Sequence, residues 1–326
     1  SKQMVMVRSI FYRIKWNLYF YQRSKKIKLI KKMNLTDKQK GIFLSLFGVL
    51  IITPDSLFIR LINIPSWELL FYRGLIPSFC LFIFLFLYYK KNFFHALLIT
   101  GLPGLLYAAL IALGNTAFVL SIQNTNVANT LIMIALTPFA TAILSSIFIK
   151  EHPSKRMWLT IIACFATILF IFYESYQGGR LFGDFFGLLT AIFMGGGAVV
   201  IRYSKSFDFL PSLLIAKLFT ILIAFAFIDS FPESLLVNSD QLFFIIIMGL
   251  FLLIPLACIT IAPRYIPAYE VQIFFILETI LGPIWVWLVI HEQPSSKTII
   301  GGIVIILIIF THTFFELREN KKNTQN

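Results

Sequence analysis

Long apolar stretches constrain this chain more than any other feature of its sequence. Runs of about 18 residues or more recur from residue 41 to residue 317, and a helix of that length crosses the hydrocarbon core of a bilayer. Composition agrees, because 58% of the residues are hydrophobic and only 13% are charged, whereas soluble domains carry about 25% charged residues. We therefore predict a helical membrane protein with several spans.

We predict ten transmembrane helices, which places the chain in the all-α integral membrane class. Lys and Arg concentrate in alternate connections and after the last span, whereas the connection at residues 229–240 is purely acidic. Because basic loops remain in the cytoplasm, we expect both termini on the cytoplasmic side of a bacterial-type inner membrane. The predicted spans cover residues 41–61, 67–89, 96–120, 126–149, 156–175, 183–203, 209–229, 241–262, 269–290 and 297–316.

The first 40 residues form a separate basic arm, with twelve Lys or Arg and one acid, Asp37. A cleavable signal peptide does not fit, because the basic region is long and no small-residue cleavage site precedes an apolar core. The first interpretation is a solvated cytoplasmic arm. The second is an interfacial segment on anionic lipid, since aromatic and basic residues interleave. Nucleic-acid binding is not predicted, and "MNLTDKQKGIFL" reads like a natural start at Met33.

The two halves of the chain repeat each other. "EHPS" at Glu151 aligns with "EQPS" at Glu292 at an offset of 141, and residues 41–60 align with residues 183–202 at an offset of 142. Five predicted spans per repeat is an odd number, so we expect an inverted second copy, as in transporters that work by alternating access. The expected organisation is a basic arm, a first repeat, a second repeat and a cytoplasmic tail, over residues 1–40, 41–175, 183–317 and 318–326.

The fourth and ninth spans carry the motifs of a known family. "LTPFATAILSSIFIKE" has Pro138 thirteen residues before Glu151, and "LETILGPIWVWLVIHE" has Glu278 before Glu292. The second span begins with a Pro and carries Arg73, in "PSWELLFYRG". Taken together, these motifs resemble those of the drug/metabolite transporter superfamily of EamA type. That resemblance implies two five-helix repeats and a secondary transporter of small organic metabolites, such as amino acids, that exports them by alternating access.

The ninth span departs from the pattern of that family. Thr279 stands where the family usually has a Pro after Leu-Glu, and a Pro appears only at Pro283. The position of the kink in this helix is therefore open.

Four charged residues inside the spans are the main candidates for substrate binding or coupling: Asp55, Arg73, Lys217 and Glu278. A charge near the bilayer centre costs at least about 2.5–3.5 kcal/mol and needs a partner or a watery cavity. Asp55 and Arg73 fall at the same depth in the outer half of the bundle, so we predict an ion pair, with a structural, gating or substrate-binding role left open. Lys217 and Glu278 fall near the midplane, as a second pair or as separate groups facing a cavity.

Neutral polar residues and helix breakers complete the candidate site. Side chains that either line a cavity or form interhelical hydrogen bonds are Asn115, Asn129, Tyr269 and Gln272. Three glycines in the sixth span permit close helix approach, a local break, or both, and they align with the Thr-Pro-Asp of the first span. The predicted helix breaks are Pro54, Pro138, Gly195, Gly196, Gly197 and Pro283.

The sequence disfavours enzymes, metal sites and cofactors. His and Cys residues are scattered without ligand spacing, and the motifs H-E-x-x-H and G-x-S-x-G are missing. The expected partners are a small-molecule substrate and membrane lipids. Multidrug export and translocation of a lipid-linked precursor are alternatives within transport, and a membrane-embedded transferase is the alternative outside it. Energy coupling is open between proton uptake by Glu278 and a uniport or exchange mechanism.

Overall fold

The structure is a computed structural model that describes residues 36–150, 158–160, 162–163, 166–167, 169–170, 173, 180–204, 207–229, 231, 233–266 and 268–323. All regular secondary structure in these ranges is helical, which confirms the all-α class. The α-helices are α1 Asp37–Ile52, α2 Asp55–Ile62, α3 Ser66–Tyr89, α4 Phe93–Leu98, α5 Gly101–Asn124, α6 Val127–Ile134, α7 Thr137–Phe148, α8 Leu181–Tyr203, α9 Leu210–Phe227, α10 Ser239–Phe251, α11 Leu253–Ile261, α12 Ala268–Ile273, α13 Ile276–Ile290 and α14 Ser296–Asn323. Short 3₁₀ turns occupy Lys90–Asn92, Glu233–Leu235 and Ala262–Arg264.

Local sequence signals define where two of the spans begin. Thr36 and Gln39 form a capping box at the start of α1, with Thr36 Oγ1 accepting from the Gln39 amide at 3.3 Å. Asn238 and Gln241 form the same arrangement at the start of α10, where the corresponding distance is 2.8 Å. Each box satisfies amide groups that the first helical turn leaves without partners.

Eight helical segments of the described residues are long and apolar enough to cross a membrane. They correspond to the first four and the sixth to ninth predicted spans, and the shorter apolar helix Ser296–Ile308 corresponds to the tenth. The fifth predicted span, residues 156–175, lies largely outside the described residues. A multi-pass membrane protein is therefore confirmed, although the count of ten spans is not reproduced in full.

The outer surface of the bundle fits a lipid environment. Large apolar side chains remain exposed along the spans, including Phe79, Leu87, Leu102 and Leu222, each more than 60% accessible. Polar and charged residues such as Asp55, Arg73 and Lys217 are buried instead. This inverted distribution is expected where hydrocarbon replaces water around the protein.

Helix α8 lies at the centre of the bundle and packs on α5 and α7. It is continuous from Leu181 to Tyr203, so the predicted break at Gly195, Gly196 and Gly197 is wrong. The glycines allow α7 to approach α8 closely, because a Cβ atom at Gly195 would lie 2.8 Å from Thr141 Oγ1. Small residues let helix backbones approach in this way inside membranes.

Within the described residues, four of the predicted spans are interrupted near the middle of the bundle. The first is broken at Pro54, as predicted, between α1 and α2. The fourth is broken between Ile134 and Thr137, directly before Pro138 at the start of α7. The eighth is broken at Leu252, between α10 and α11.

The interruption in the ninth span differs from the prediction. Helix α13 runs through Pro283 without a break, so the break predicted there is wrong. The interruption lies earlier, between α12 and α13 at Phe274–Phe275. There Thr279 Oγ1 donates to the carbonyl groups of Leu131 at 3.1 Å and Phe275 at 3.2 Å, which ties the start of α13 to α6. A Pro inside a helix removes one hydrogen bond and can be absorbed as a kink.

The two repeats place corresponding contacts at corresponding positions. In the first, Ser66 at the start of α3 donates to Gln123 near the end of α5. In the second, Arg264 after α11 donates to Asp208 before α9 at 2.6 Å. The second pair follows the first by 142 and 141 residues, so this one contact recurs at the equivalent place in both repeats.

Candidate functional site

The ion pair between Asp55 and Arg73 lies beside the break in the first span. Because the helix restarts after Pro54, Asp55 is the first residue of α2, where the helix N-terminus stabilises a carboxylate. Arg73 of α3 donates from Nη1 to Oδ1 at 2.6 Å and from Nη2 to Oδ2 at 2.8 Å. Both side chains are 3% exposed. The predicted pairing is confirmed.

Further contacts fix the Arg73 guanidinium. It lies 5.6 Å from the centroid of the Phe118 ring on α5, within the range of a cation–π interaction. Its Nη1 group also lies 3.4 Å from the Met248 sulfur on α10. The pair therefore joins α2, α3, α5 and α10, and each oxygen of the Asp55 carboxylate already has a donor.

A small cavity connects this pair with the other charged candidates. Its volume is about 30 Å³, room for about two water molecules. The remaining polar lining comes from Asn115, Lys217 and Glu278, on α5, α9 and α13. Apolar side chains complete the wall, among them Phe118, Met194, Leu252 and Phe275. Residues from both repeats thus converge on one cavity.

Lys217 and Glu278 face this cavity as separate groups. Lys217 is fully buried, and among the described residues its Nζ atom has no hydrogen-bond partner. Glu278 is 4% exposed, and in the described part of the chain no ion pair joins it to Lys217. A buried charge without a partner is penalised by several kcal/mol. The site therefore presents an amine and a carboxyl group whose charged forms a bound molecule of complementary charge can stabilise.

The remaining predicted site residues lie away from the cavity or outside the residues that the structure describes. Asn129 lies on α6, where its amide contacts Asp184 and Thr298 and not the cavity. Gln272 is buried on α12, and its Oε1 atom lacks a hydrogen-bond partner within the described ranges. The side chain of Tyr269 and the whole of Glu151 fall outside the described residues.

A second polar cluster was not predicted from the sequence. It comprises Thr125, Asn129, Asp184 and Thr298, which we call the seam cluster because it joins the two repeats. Thr125 Oγ1 donates to Asp184 Oδ1 at 2.7 Å, and Thr298 Oγ1 donates to Asn129 Oδ1 at 2.7 Å. Asp184 begins a predicted span, where an acid near the interface is unremarkable. Its complete burial, at 0% exposure, emerges only from the tertiary structure.

The seam cluster lies next to a second inter-repeat ion pair. Arg60, near the end of α2, contacts Glu292 at 3.1 Å and donates to the Thr125 carbonyl at 2.9 Å. Glu292 also accepts from the Val127 amide at 3.0 Å, which caps the start of α6. These contacts close one mouth of the bundle with groups from both repeats.

The opposite mouth has its own polar contacts. Asp208 follows the C-terminal end of α8, whereas Asp184 lies at its beginning, and 23 helical residues separate the two ends. Tyr89 donates to Asp208 at 2.7 Å, and Arg264 contacts the same carboxylate at 2.6 Å. The central cavity therefore lies between two polar closures.

Comparison with known proteins shows that the chain is similar to membrane transporters in both halves. The model of the EamA-like transporter family matches residues 39–173 and again residues 181–314. Pseudopaline exporters CntI from Pseudomonas aeruginosa strains UCBPP-PA14 and ATCC 15692 are each 24% identical over 255 residues, which cover 75% of this chain and 85% of theirs. A crystal structure of a protein 12% identical in sequence superposes with a TM-score of 0.63 and covers 85% of this chain and 98% of its own. At that identity the superposition shows the fold alone.

Proposed function

This chain belongs to the EamA-like transporter family, and on that premise we propose that it exports amino acids or related small metabolites by alternating access. Membership in this family makes it a membrane transporter and not an enzyme. The direction of transport follows the pseudopaline exporters that the chain resembles. The basic connections support an inner-membrane orientation with both termini in the cytoplasm.

The arrangement of Lys217 and Glu278 carries the substrate assignment. Asp55 and Arg73 satisfy each other through two hydrogen bonds, which leaves Lys217 and Glu278 as the basic and the acidic group that face the cavity. A zwitterion fits such a pair, with its carboxylate towards Lys217 and its ammonium towards Glu278. The apolar wall accepts a side chain without further polar groups.

The small volume of the cavity favours a cycle in which the site changes size. About 30 Å³ accommodates water but no amino acid. Substrate entry therefore requires the helices around the cavity to separate, and the interrupted spans near Asp55 and Phe275 supply backbone that can rearrange. Interrupted helices near a central site between repeats are typical of secondary transporters.

Proton coupling through Glu278 is one way to drive export, and exchange of one solute for another is the second. A proton on Glu278 removes its charge and weakens its hold on an ammonium group. Both mechanisms keep the same binding site.

Transport by purified protein in liposomes tests the proposal. We expect uptake of a radiolabelled amino acid above that of empty vesicles, and weaker uptake of analogues that lack either the carboxylate or the ammonium group. Lys217→Met should reduce transport of the carboxylate-bearing compounds most, because it keeps the length of the side chain and removes its charge.

The panel should also include a lipophilic drug and a lipid-linked precursor. Movement of either compound without movement of any amino acid would contradict the proposed substrate and favour the corresponding alternative. No uptake from a broad metabolite panel would contradict small-metabolite transport as a whole.

A further inference from the structure

The inverted repeat is not symmetric in where its helices are interrupted. The repeat relates the first span to the sixth, the third to the eighth and the fourth to the ninth. Within the described residues, the fourth and ninth spans are both interrupted, as the symmetry requires. The first and eighth spans are interrupted as well, whereas their counterparts run unbroken as α8 and α5. The symmetry therefore fails at these two positions.

The two interrupted spans pack on each other, and so do their two continuous counterparts. Helix α1 packs on α11 and α2 packs on α10, so the first and eighth spans lie side by side in both halves of the membrane. We call these four helices the divided pair. Helices α5 and α8 also pack on each other, and we call them the undivided pair. The asymmetry therefore concerns two structural units and not four scattered helices.

Prolines account for both interruptions in the divided pair. Pro54 has no amide hydrogen, so it cannot donate to the carbonyl group of Leu50 one turn earlier. The Thr53 hydroxyl donates to that carbonyl at 3.1 Å instead. In the eighth span, Pro255 equally leaves the carbonyl group of Phe251, the last residue of α10, without its helical donor. At both interruptions the backbone therefore lacks a complete set of helical hydrogen bonds.

Glycines occupy the matching positions of the undivided pair. Gly196 follows Pro54 by 142 residues, and Gly114 precedes Pro255 by 141. A Cβ atom would lie 3.5 Å from α8 at Gly114 and 3.4 Å from α5 at Gly196, so both glycines lie in the contact between these helices. A glycine keeps its amide hydrogen, and both helices continue through these positions. The asymmetry is therefore a property of the sequence, because no change of conformation gives a proline the hydrogen that it lacks.

Contacts on each side of the interruptions join the two spans of the divided pair. On one side, a Cβ atom at Gly48 of α1 would lie only 2.9 Å from Cys258 Cβ on α11. On the other side, the ring centroids of Phe58 on α2 and Phe251 on α10 lie 5.6 Å apart in an edge-to-face arrangement. These contacts hold α1 to α11 and α2 to α10. Bending at one interruption therefore requires bending at the other.

Both interruptions border the substrate cavity. Ile52 and Asp55 flank the first interruption, Leu252 lies at the second, and all three line the cavity. Asn115 and Met194 line it from the undivided helices α5 and α8. The cavity therefore has interrupted backbone in one part of its wall and continuous helix in another, so it can enlarge by movement of the first part alone.

We propose that the first and eighth spans bend together at Pro54 and Leu252 during transport, while the third and sixth spans stay straight and serve as a frame. This inference rests on the proposed alternating-access cycle and specifies which backbone moves in it. A symmetric cycle would instead exchange the conformations of the two repeats, so that the sixth span would break at Gly196 in the opposite state. The prolines oppose such an exchange, since Pro54 keeps a gap in the hydrogen bonding of the first span in every state.

Distances within single spans test the proposal. Spin labels at the exposed positions Phe43 and Asn63 report the length of the first span across Pro54, and labels at Phe185 and Tyr203 report the length of the sixth. Both pairs are measured in liposomes, in a background without native cysteines, with and without a mixture of the common amino acids. A further bend of about 30° between two arms of about 15 Å shortens the first distance by about 3 Å. We expect this shift in the first span and one unchanged distance in the sixth.

The possible outcomes separate this inference from the proposed function. Equal shifts in the first and sixth spans would overturn the inference in favour of a symmetric exchange. One unchanged distance across the first span would overturn the bending, and the proposed function would stand wherever amino acids are still transported. Two distances across the first span that do not respond to amino acids, in a protein that transports none, would support the bending and overturn the substrate assignment.

Restoring the missing amide group gives a second test that needs no labels. Pro54→Ala and Pro255→Ala each allow one more helical hydrogen bond, which every bend must then break. Each variant should lower the transport rate about fivefold, which corresponds to one hydrogen bond of about 1 kcal/mol. The melting temperature in detergent should stay the same or rise, because the resting helix gains that bond. A wild-type transport rate in either folded variant would overturn the proposal.

Two substitutions outside the divided pair serve as matched controls. Pro77→Ala restores an amide group in α3, which runs through this proline without interruption, and Gly114→Ala changes the glycine that matches Pro255. Both variants should keep the wild-type transport rate, since no bending is assigned to their helices. A fivefold loss in Gly114→Ala would overturn the role of the undivided pair as a frame. If Pro54→Ala fails to fold, Pro255→Ala still tests the bending, because the two spans move together.

Discussion

At the scale of single residues, the central cavity combines the satisfied ion pair of Asp55 and Arg73 with two groups, Lys217 and Glu278, that form no ion pair within the described residues. Asp55 and Arg73 were predictable because equal depth on neighbouring spans places opposite charges within reach of each other. The separation of Lys217 from Glu278 was not predictable, because depth in the membrane gives no information on which face of a helix a residue occupies. Tertiary packing supplies that information.

Replacement of Glu278 by Gln tests its role in the site. The change keeps the size of the side chain and removes its charge, so the protein should fold and express normally while transport is lost. Measurements of uptake in liposomes at equal reconstituted amounts check this. Glu233→Gln, in an exposed connection, is the control and should transport normally. Near-normal transport by the Glu278 variant would remove this residue from the site.

A double-mutant cycle tests the energetic coupling of Asp55 and Arg73. Either single charge reversal, Asp55→Arg or Arg73→Asp, leaves like charges together in a buried site, and loss of one partner alone costs about 3–5 kcal/mol. The double reversal should recover more folded protein than either single variant, measured as the monodisperse fraction after extraction. Recovery will be incomplete, because Arg at the start of α2 opposes the helix dipole. Purely additive losses would show that the two charges are not coupled.

At the scale of helices, continuous spans were predictable and interruptions were predictable only in part. Pro54 interrupts a helix because it has no amide hydrogen to donate to the preceding turn, and the restarted helix then stabilises the acid that follows it. Pro283 lies in a helix that absorbs it, while the interruption at Phe274–Phe275 has no proline and depends on the contact of Thr279 with α6. A sequence reveals which residues permit a break, whereas packing against neighbours decides where one occurs.

Close packing of α8 on α7 can be tested at Gly195. Its replacement by Ala places a Cβ atom 2.8 Å from Thr141 Oγ1, whereas a Cβ atom at Gly114 meets its nearest neighbour at 3.5 Å. Overpacking costs about 1–3 kcal/mol, which should outweigh the gain in helix propensity of about 1 kcal/mol. Gly195→Ala should therefore lower the melting temperature in detergent, and Gly114→Ala should leave it unchanged or raise it. Equal effects of the two variants would contradict close packing at Gly195.

At the scale of the whole molecule, polar contacts close each mouth, and the cavity with its acidic and basic groups lies between them. The two-repeat architecture was predictable, because the match between Glu151 and Glu292 survives in the sequence. The seam cluster was not predictable, since its members lie on four separate segments whose proximity depends on the complete fold.

Alternating access requires the Arg60–Glu292 pair to separate during each cycle. Cysteines at both positions, in a background that lacks Cys80, Cys164 and Cys258, should be joined by a short reversible cross-linker. Cross-linking should stop transport, and reduction should restore it. The Ser66 and Gln123 positions contact each other within one repeat, so the same treatment of cysteines there should leave transport largely intact. Full transport with Arg60 and Glu292 positions cross-linked would show that this mouth stays closed throughout the cycle.

The matched contacts of the two repeats also preserve a record of descent. Ser66 with Gln123 and Arg264 with Asp208 occupy equivalent places, yet one pair is neutral and the other is ionic. A duplicated ancestor with two identical halves would have carried the same chemistry at both places. Divergence of the two halves has therefore changed the chemistry of this contact and kept its location.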